Sequence, residues 1–136
     1  MSVKFPSEEW IVELCNRLNA SQEYAQAAAS WEGDNIFIIL PDADYSDTTY
    51  FYINLQHGKA SDPCMLHSPD EKKALFTTSA PFGTWRKVME GRLDPLQGIF
   101  SGKLKLVGSM AQIQRNPKAT YMLTKIAAQI DTDFGS

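Results

Sequence analysis

Cys64 and His67 are the closest nucleophile and base in the chain, and three residues apart in an extended segment they point to opposite faces. A thiol so placed has no base to take its proton. His57 stands beside Gly58 in a turn and has no carboxylate at a telling spacing. Asp42, Asp44 and Asp47 invite comparison with a calcium loop, but such a loop begun at Asp42 needs glycine at its sixth position and glutamate at its twelfth. Asp47 and Ile53 occupy those places. Gly98, Gly102 and Lys103 resemble a phosphate-binding loop in outline only. Three residues instead of four separate the glycines, and Leu104 replaces the hydroxyl that holds magnesium. These tests leave no catalytic residue, no metal site and no cofactor to expect.

Composition narrows the class further. A 136-residue chain with 43% hydrophobic and 21% charged residues has enough apolar material for one core without disulfides. Cys15 and Cys64 are too few and too far apart for a disulfide framework or a Cys-x-x-Cys site. The first ten residues lack the apolar core of a signal peptide, and no run reaches the roughly 20 apolar residues of a membrane span, so a soluble, cytoplasmic protein is expected. Tyr50, Phe51 and Tyr52 could stack on bases, but little basic charge surrounds them, and no nucleic-acid partner is expected. Residues 1–70 carry 11 acidic and 3 basic side chains, or −8, and residues 71–136 carry 5 and 10, or +5, which together make the net −3. The basic half could meet an anionic membrane transiently; without a block of five like charges, interleaving of the two halves in space is the simpler outcome.

The periodicity then sets the elements. Ser7, Glu8 and Glu9 open an amphipathic helix whose apolar face is Trp10, Ile11, Leu14, Cys15 and Leu18, and Ser21 caps a second, alanine-rich helix. Ile36–Leu40 and Thr49–Gln56 read as strands paired across an eight-residue loop, with the first central in its sheet. Short strands are expected at 63–67 and 73–79, and Ser79 is the expected cap of the helix carrying Trp85. Asp94-Pro95 restarts a short helix, Lys103–Val107 alternates as a strand, and Ser109–Gln114 is a short helix. Asn116-Pro117 caps a last helix with Ala119, Met122, Leu123, Ile126, Ala127 and Ile130 on one face. The order predicts an α+β fold with a five-stranded, mainly antiparallel sheet covered by helices. One domain is expected over 1–136: N-terminal helices in 1–30, the sheet with inserted helices in 31–108, and C-terminal helices in 109–136.

The segment from Trp85 to Met110 resembles the sterol carrier protein type 2 family. The resemblance rests on Trp85, Gly91, Leu93-Asp94-Pro95, Phe100, Gly102-Lys103-Leu104-Lys105-Leu106 and Gly108-Ser109-Met110, and it extends weakly back to about Trp31. It implies a domain that holds fatty acyl chains, sterols, isoprenoids or other lipids in an apolar tunnel between sheet and helices, without catalysis. Phe76, Phe82, Trp85, Met89, Phe100, Leu104, Leu106, Met110 and Ile113 are then the expected lipid-binding residues, with methionines giving an adaptable wall. Lys103 and Lys105 would be available to an anionic headgroup. The Asn116-Pro117 interruption and the Ser79–Phe82 turn depart from the family pattern and bear on the entrance. The alternative is a domain of the same fold whose core is filled, serving as an interaction or oligomerisation module, with a homodimer as one form, accessory to a lipid or quinone pathway.

Overall fold

In a computed structural model, which describes residues 2–135, the elements run β1 (Val3–Lys4), α1 (Glu8–Asn19), α2 (Gln22–Ala27), β2 (Asn35–Leu40), β3 (Thr49–Gln56), β4 (Lys59–Leu66), β5 (Phe76–Pro81), α3 (Phe82–Met89), α4 (Pro95–Phe100), β6 (Lys105–Val107), α5 (Met110–Arg115), α6 (Pro117–Gln129) and β7 (Thr132–Asp133). The main sheet has the order β4-β3-β2-β5-β6. Three of its pairings are antiparallel and the β2–β5 pairing is parallel, so the mainly antiparallel α+β architecture holds. A separate two-stranded parallel pair joins β1 to β7 and ties the two ends of the chain together. These two-residue strands are too short to leave a periodic signal.

Alternation divides the main sheet into two faces. Phe37 and Ile39 of β2 stand with Phe51, Ile53 and Leu55 of β3 in the large core beneath the helices. Ile36, Tyr52 and Leu66 form a smaller cluster on the opposite face, against Ala74 of the segment that leads into β5. Asp34 fixes that segment, accepting hydrogen bonds from the Leu75 amide and the Tyr52 hydroxyl, both at 2.8 Å. On the helical side, α1 buries the expected five residues, and the Ser7 side chain accepts from the Trp10 amide at 3.2 Å. The carboxamide of Asn19 at its end pairs with both backbone groups of Ala60, at 2.8 Å each, and so occupies part of the β4 edge.

Several boundaries differ from the sequence reading, each for a local reason. The third strand begins at Lys59, not Pro63, because His57 and Gly58 both take positive φ (52° and 80°) and make a two-residue hairpin turn. The fourth begins at Phe76 and not Lys73, since the residues before it are held by Asp34. Ser79 lies inside β5, paired with Ile38 and Lys105, and caps nothing. The start of α3 is capped from afar: Asp42 accepts from the Gly83 amide at 2.7 Å. Asn116 stands at the N-terminus of α6 without capping it; its side chain donates to the Gln112 carbonyl and accepts from the Ser30 hydroxyl, both at 2.9 Å. The last main-sheet strand is only Lys105–Val107.

Phe76 is locked by two glycines. A methyl group on Gly33 or on Gly108 would come within 2.5 Å of the Phe76 ring, and Trp31 packs on the same ring with centroids 4.8 Å apart. The Gly108→Ala substitution should therefore lower stability by about 2 kcal/mol, through overpacking and an unfavourable φ. Denaturant unfolding measures it, and a loss below about 0.5 kcal/mol would contradict this packing.

Candidate functional site

Between the helical side of the sheet and the helices lies a cavity of about 130 Å³. Its floor follows from strand register: Phe37 pairs with Thr78, which pairs in turn with Leu106, so all three present to one side. The roof comes from Trp85, Val88 and Met89 of α3, Pro95 and Ile99 of α4, Ile113 of α5, and Ala119, Thr120, Leu123, Thr124 and Ala127 of α6. Trp10 and Leu14 of α1, Tyr24 of α2 and Trp31 close the rest. The half-buried wall residues, among them Trp85, Met89, Pro95, Ile99, Leu123 and Thr124, cluster on α3, α4 and α6. Those on α1 and α2 are fully buried, so the opening lies where α3, α4 and α6 meet. There the Tyr121 hydroxyl donates to Asp94 at 3.1 Å, joining α6 to the carboxylate that caps α4. Partial desolvation, and after it the adjoining Asp94, raises the pKa of the exposed Tyr121.

No charged side chain lines this wall among the described residues. Its polar groups are mostly spent on internal hydrogen bonds. The Trp85 indole donates to the Ile38 carbonyl at 3.0 Å, and the Trp31 indole and the Asn35 amide both donate to the Gly33 carbonyl. The Trp10 indole donates to the Thr132 hydroxyl, and the Thr124 hydroxyl to the Thr120 carbonyl, each at 3.0 Å. What faces the space is therefore mainly hydrocarbon, with the hydroxyls of Tyr24, Thr78 and Thr120 outside these internal bonds. The volume is close to that of an engineered apolar cavity of about 150 Å³ that admits benzene. A second, wider depression of about 390 Å³ between α2 and α6 is lined by Glu23, Gln26, Lys118 and Tyr121, all exposed, and has no enclosed apolar wall.

Five of the nine residues singled out in the sequence meet at the cavity: Trp85, Met89, Leu104, Leu106 and Ile113. The other four lie elsewhere. Phe76 is consumed by the glycine cradle, and Phe82 packs in an aromatic group with Phe5, Tyr45 and Phe134. Phe100 is 53% exposed at the end of α4, and Met110 is exposed at the start of α5. Lys105 falls on the face of β6 opposite Leu106, so neither it nor the exposed Lys103 reaches the cavity. Sequence reasoning misses Tyr24 and the α6 contribution. The signal for the latter is a stripe of residues one turn apart, Ala119, Leu123 and Ala127, beside Thr120 and Thr124.

The remaining chemistry is dispersed. No group of three His, Cys, Asp or Glu side chains able to hold a metal occurs among the described residues, and no helix among them is long and apolar enough to cross a membrane. His57 faces Glu32 at 3.4 Å on the surface. Asp42 is committed to the α3 cap.

The architecture is an α+β sheet roofed by helices over an uncharged, mainly apolar cavity. A model of the SCP-2 sterol transfer family matches residues 11–119, and the chain belongs to that family, whose general activity is lipid binding or transfer. A crystal structure of sterol carrier protein 2 is 31% identical, with a TM-score of 0.82 over 91% of this chain and 97% of that one. The solution structure of a conserved hypothetical protein from Thermus thermophilus, described as possibly a sterol carrier protein, is 30% identical, with a TM-score of 0.83 over 93% and 90%. The UbiJ-SCP2 ubiquinone synthesis protein shares the fold at 16% identity, with a TM-score of 0.52 over 86% of each chain. No curated protein matches.

Burial raises the pKa of both thiols, and for Cys64 this outweighs the opposing effect of Lys72. A raised pKa leaves less thiolate at neutral pH than in free cysteine. Both cysteines should therefore label with a thiol reagent more slowly than glutathione near neutrality and speed up as pH rises through the alkaline range. Rapid labelling of Cys64 at neutral pH would contradict this.

Proposed function

We propose that the protein binds and carries an apolar small molecule, a fatty acyl, sterol-like or isoprenoid lipid, in the cavity under α6, and that it does so without catalysis. The carrying observation is the uncharged, largely internally hydrogen-bonded wall, which offers an incoming ligand mainly hydrocarbon contact. Family membership and the two sterol carrier relatives support the same reading. Each buried methylene contributes about 0.8 kcal/mol, so six contribute about 5 kcal/mol, which is modest against the cost of association. A longer chain gains more only by parting α6 from α3 and α4. The half-buried rim and the surface position of the Tyr121–Asp94 hydrogen bond make that the weakest boundary of the cavity.

Contact with an anionic membrane is a second element of the proposal. Val107 is 71% exposed on the same face of β6 as Lys105, an apolar side chain beside a cation at a sheet edge.

Methyl parinarate, a neutral fluorescent acyl ester, tests the cavity assignment. Met89→Trp, which fills the wall, should weaken its binding at least about tenfold. Met110→Asp, at the surface, should leave binding within about twofold. Circular dichroism establishes that each variant is folded; equal binding by folded Met89→Trp and wild type would overturn the assignment.

A further inference from the structure

Tyr24 is 2% exposed and projects from α2 into the wall of the cavity. Its backbone amide is satisfied by the Ser21 hydroxyl, but its own hydroxyl has no hydrogen-bond partner among the described residues. Burial alone pushes its pKa up to about 12, with no hydrogen bond contributing. Tyr52 and Tyr121, by contrast, each donate to a carboxylate. No fully enclosed side-chain oxygen or nitrogen lacks a partner among the described residues, so the Tyr24 oxygen retains a little accessible surface. Tyr24 is itself one of the residues that line the cavity.

A buried phenol without an acceptor is unfavourable, and replacing it by phenylalanine would relieve the cost at once. The three indoles of the wall are each paired internally, whereas the Tyr24 hydroxyl is not. From this contrast we propose that the Tyr24 hydroxyl donates a hydrogen bond to an uncharged oxygen of the ligand, the carbonyl, ester or hydroxyl oxygen of a neutral lipid. This rests on the lipid-binding reading above and specifies the ligand class. An ionised carboxylate is disfavoured at this position, because the wall offers no cation to pair with it and one phenol cannot replace its hydration.

Three six-membered-ring probes matched to the cavity separate the alternatives: cyclohexanone, cyclohexane and, at about pH 8, cyclohexanecarboxylate, which is ionised there. Binding is followed by NMR titration of the Trp31 and Trp85 indole signals. Wild type should bind cyclohexanone and bind the carboxylate at least about tenfold more weakly. Tyr24→Phe should lose about three- to tenfold in affinity for cyclohexanone, hold cyclohexane within about twofold, and melt no lower than wild type. Unchanged ketone affinity, an equal loss for ketone and hydrocarbon, carboxylate binding as tight as ketone binding, or a lowered melting temperature would each overturn the inference while leaving the lipid-binding reading intact. Wild type that binds none of the probes and no methyl parinarate would overturn both.

Discussion

The parallel pairing of β2 with β5 is the constraint from which the rest of the architecture follows. Its register, Asn35 with Phe76 through Leu40 with Pro81, puts Thr78 beside Phe37 on the helical side and delivers the chain from Pro81 directly into α3. The Trp85 indole then bonds back to Ile38 on the same central strand, and its ring meets Phe37 edge-on with centroids 5.8 Å apart. With α3 fixed in this way, α4 and β6 return along the free edge of β5, and α6 closes over the sheet. The space that remains is bounded by groups that mostly have partners already. It is a consequence of how strands and helices are anchored, with no special residue required to hold it open.

The same anchoring decides how much of the molecule is legible in the chain. The buried faces of α1 and α6, the central β2 and the capping role of Asp94 follow from local periodicity and cap chemistry, which depend on neighbours in sequence. What is not legible depends on distant partners. Asp42 caps α3 across forty-one positions, so the nearer Ser79 carries the sequence signal in its place. Phe76 has the same composition signal as a cavity residue, yet two glycines far apart in sequence enclose it. Phe100 and Met110 lie in helices next to the last main-sheet strand, but their helical phase turns them outward. Nothing local in the sequence reveals that the Tyr24 hydroxyl goes unpaired.

The chemistry of the site is chiefly that of exclusion. A wall without charge makes burial of an ion costly, and the volume of about 130 Å³ limits what fits while the α3–α4–α6 rim stays as it is. Burial raises the pKa of both cysteine thiols, and the carboxylates of Asp42 and Asp94 are engaged in capping α3 and α4. Affinity in this setting comes from area removed from water, and discrimination from shape and from the few hydroxyls that remain unpaired.

Mass spectrometry of the organic extract of the natively purified protein, beside an unrelated protein of similar size from the same cells, decides whether the space under α6 is a ligand cavity. A neutral lipid recovered in near-stoichiometric amount from this protein and absent from the control is the predicted result. An extract matching the control, from protein that also fails to take up a neutral lipid supplied during refolding, would contradict the existence of such a cavity.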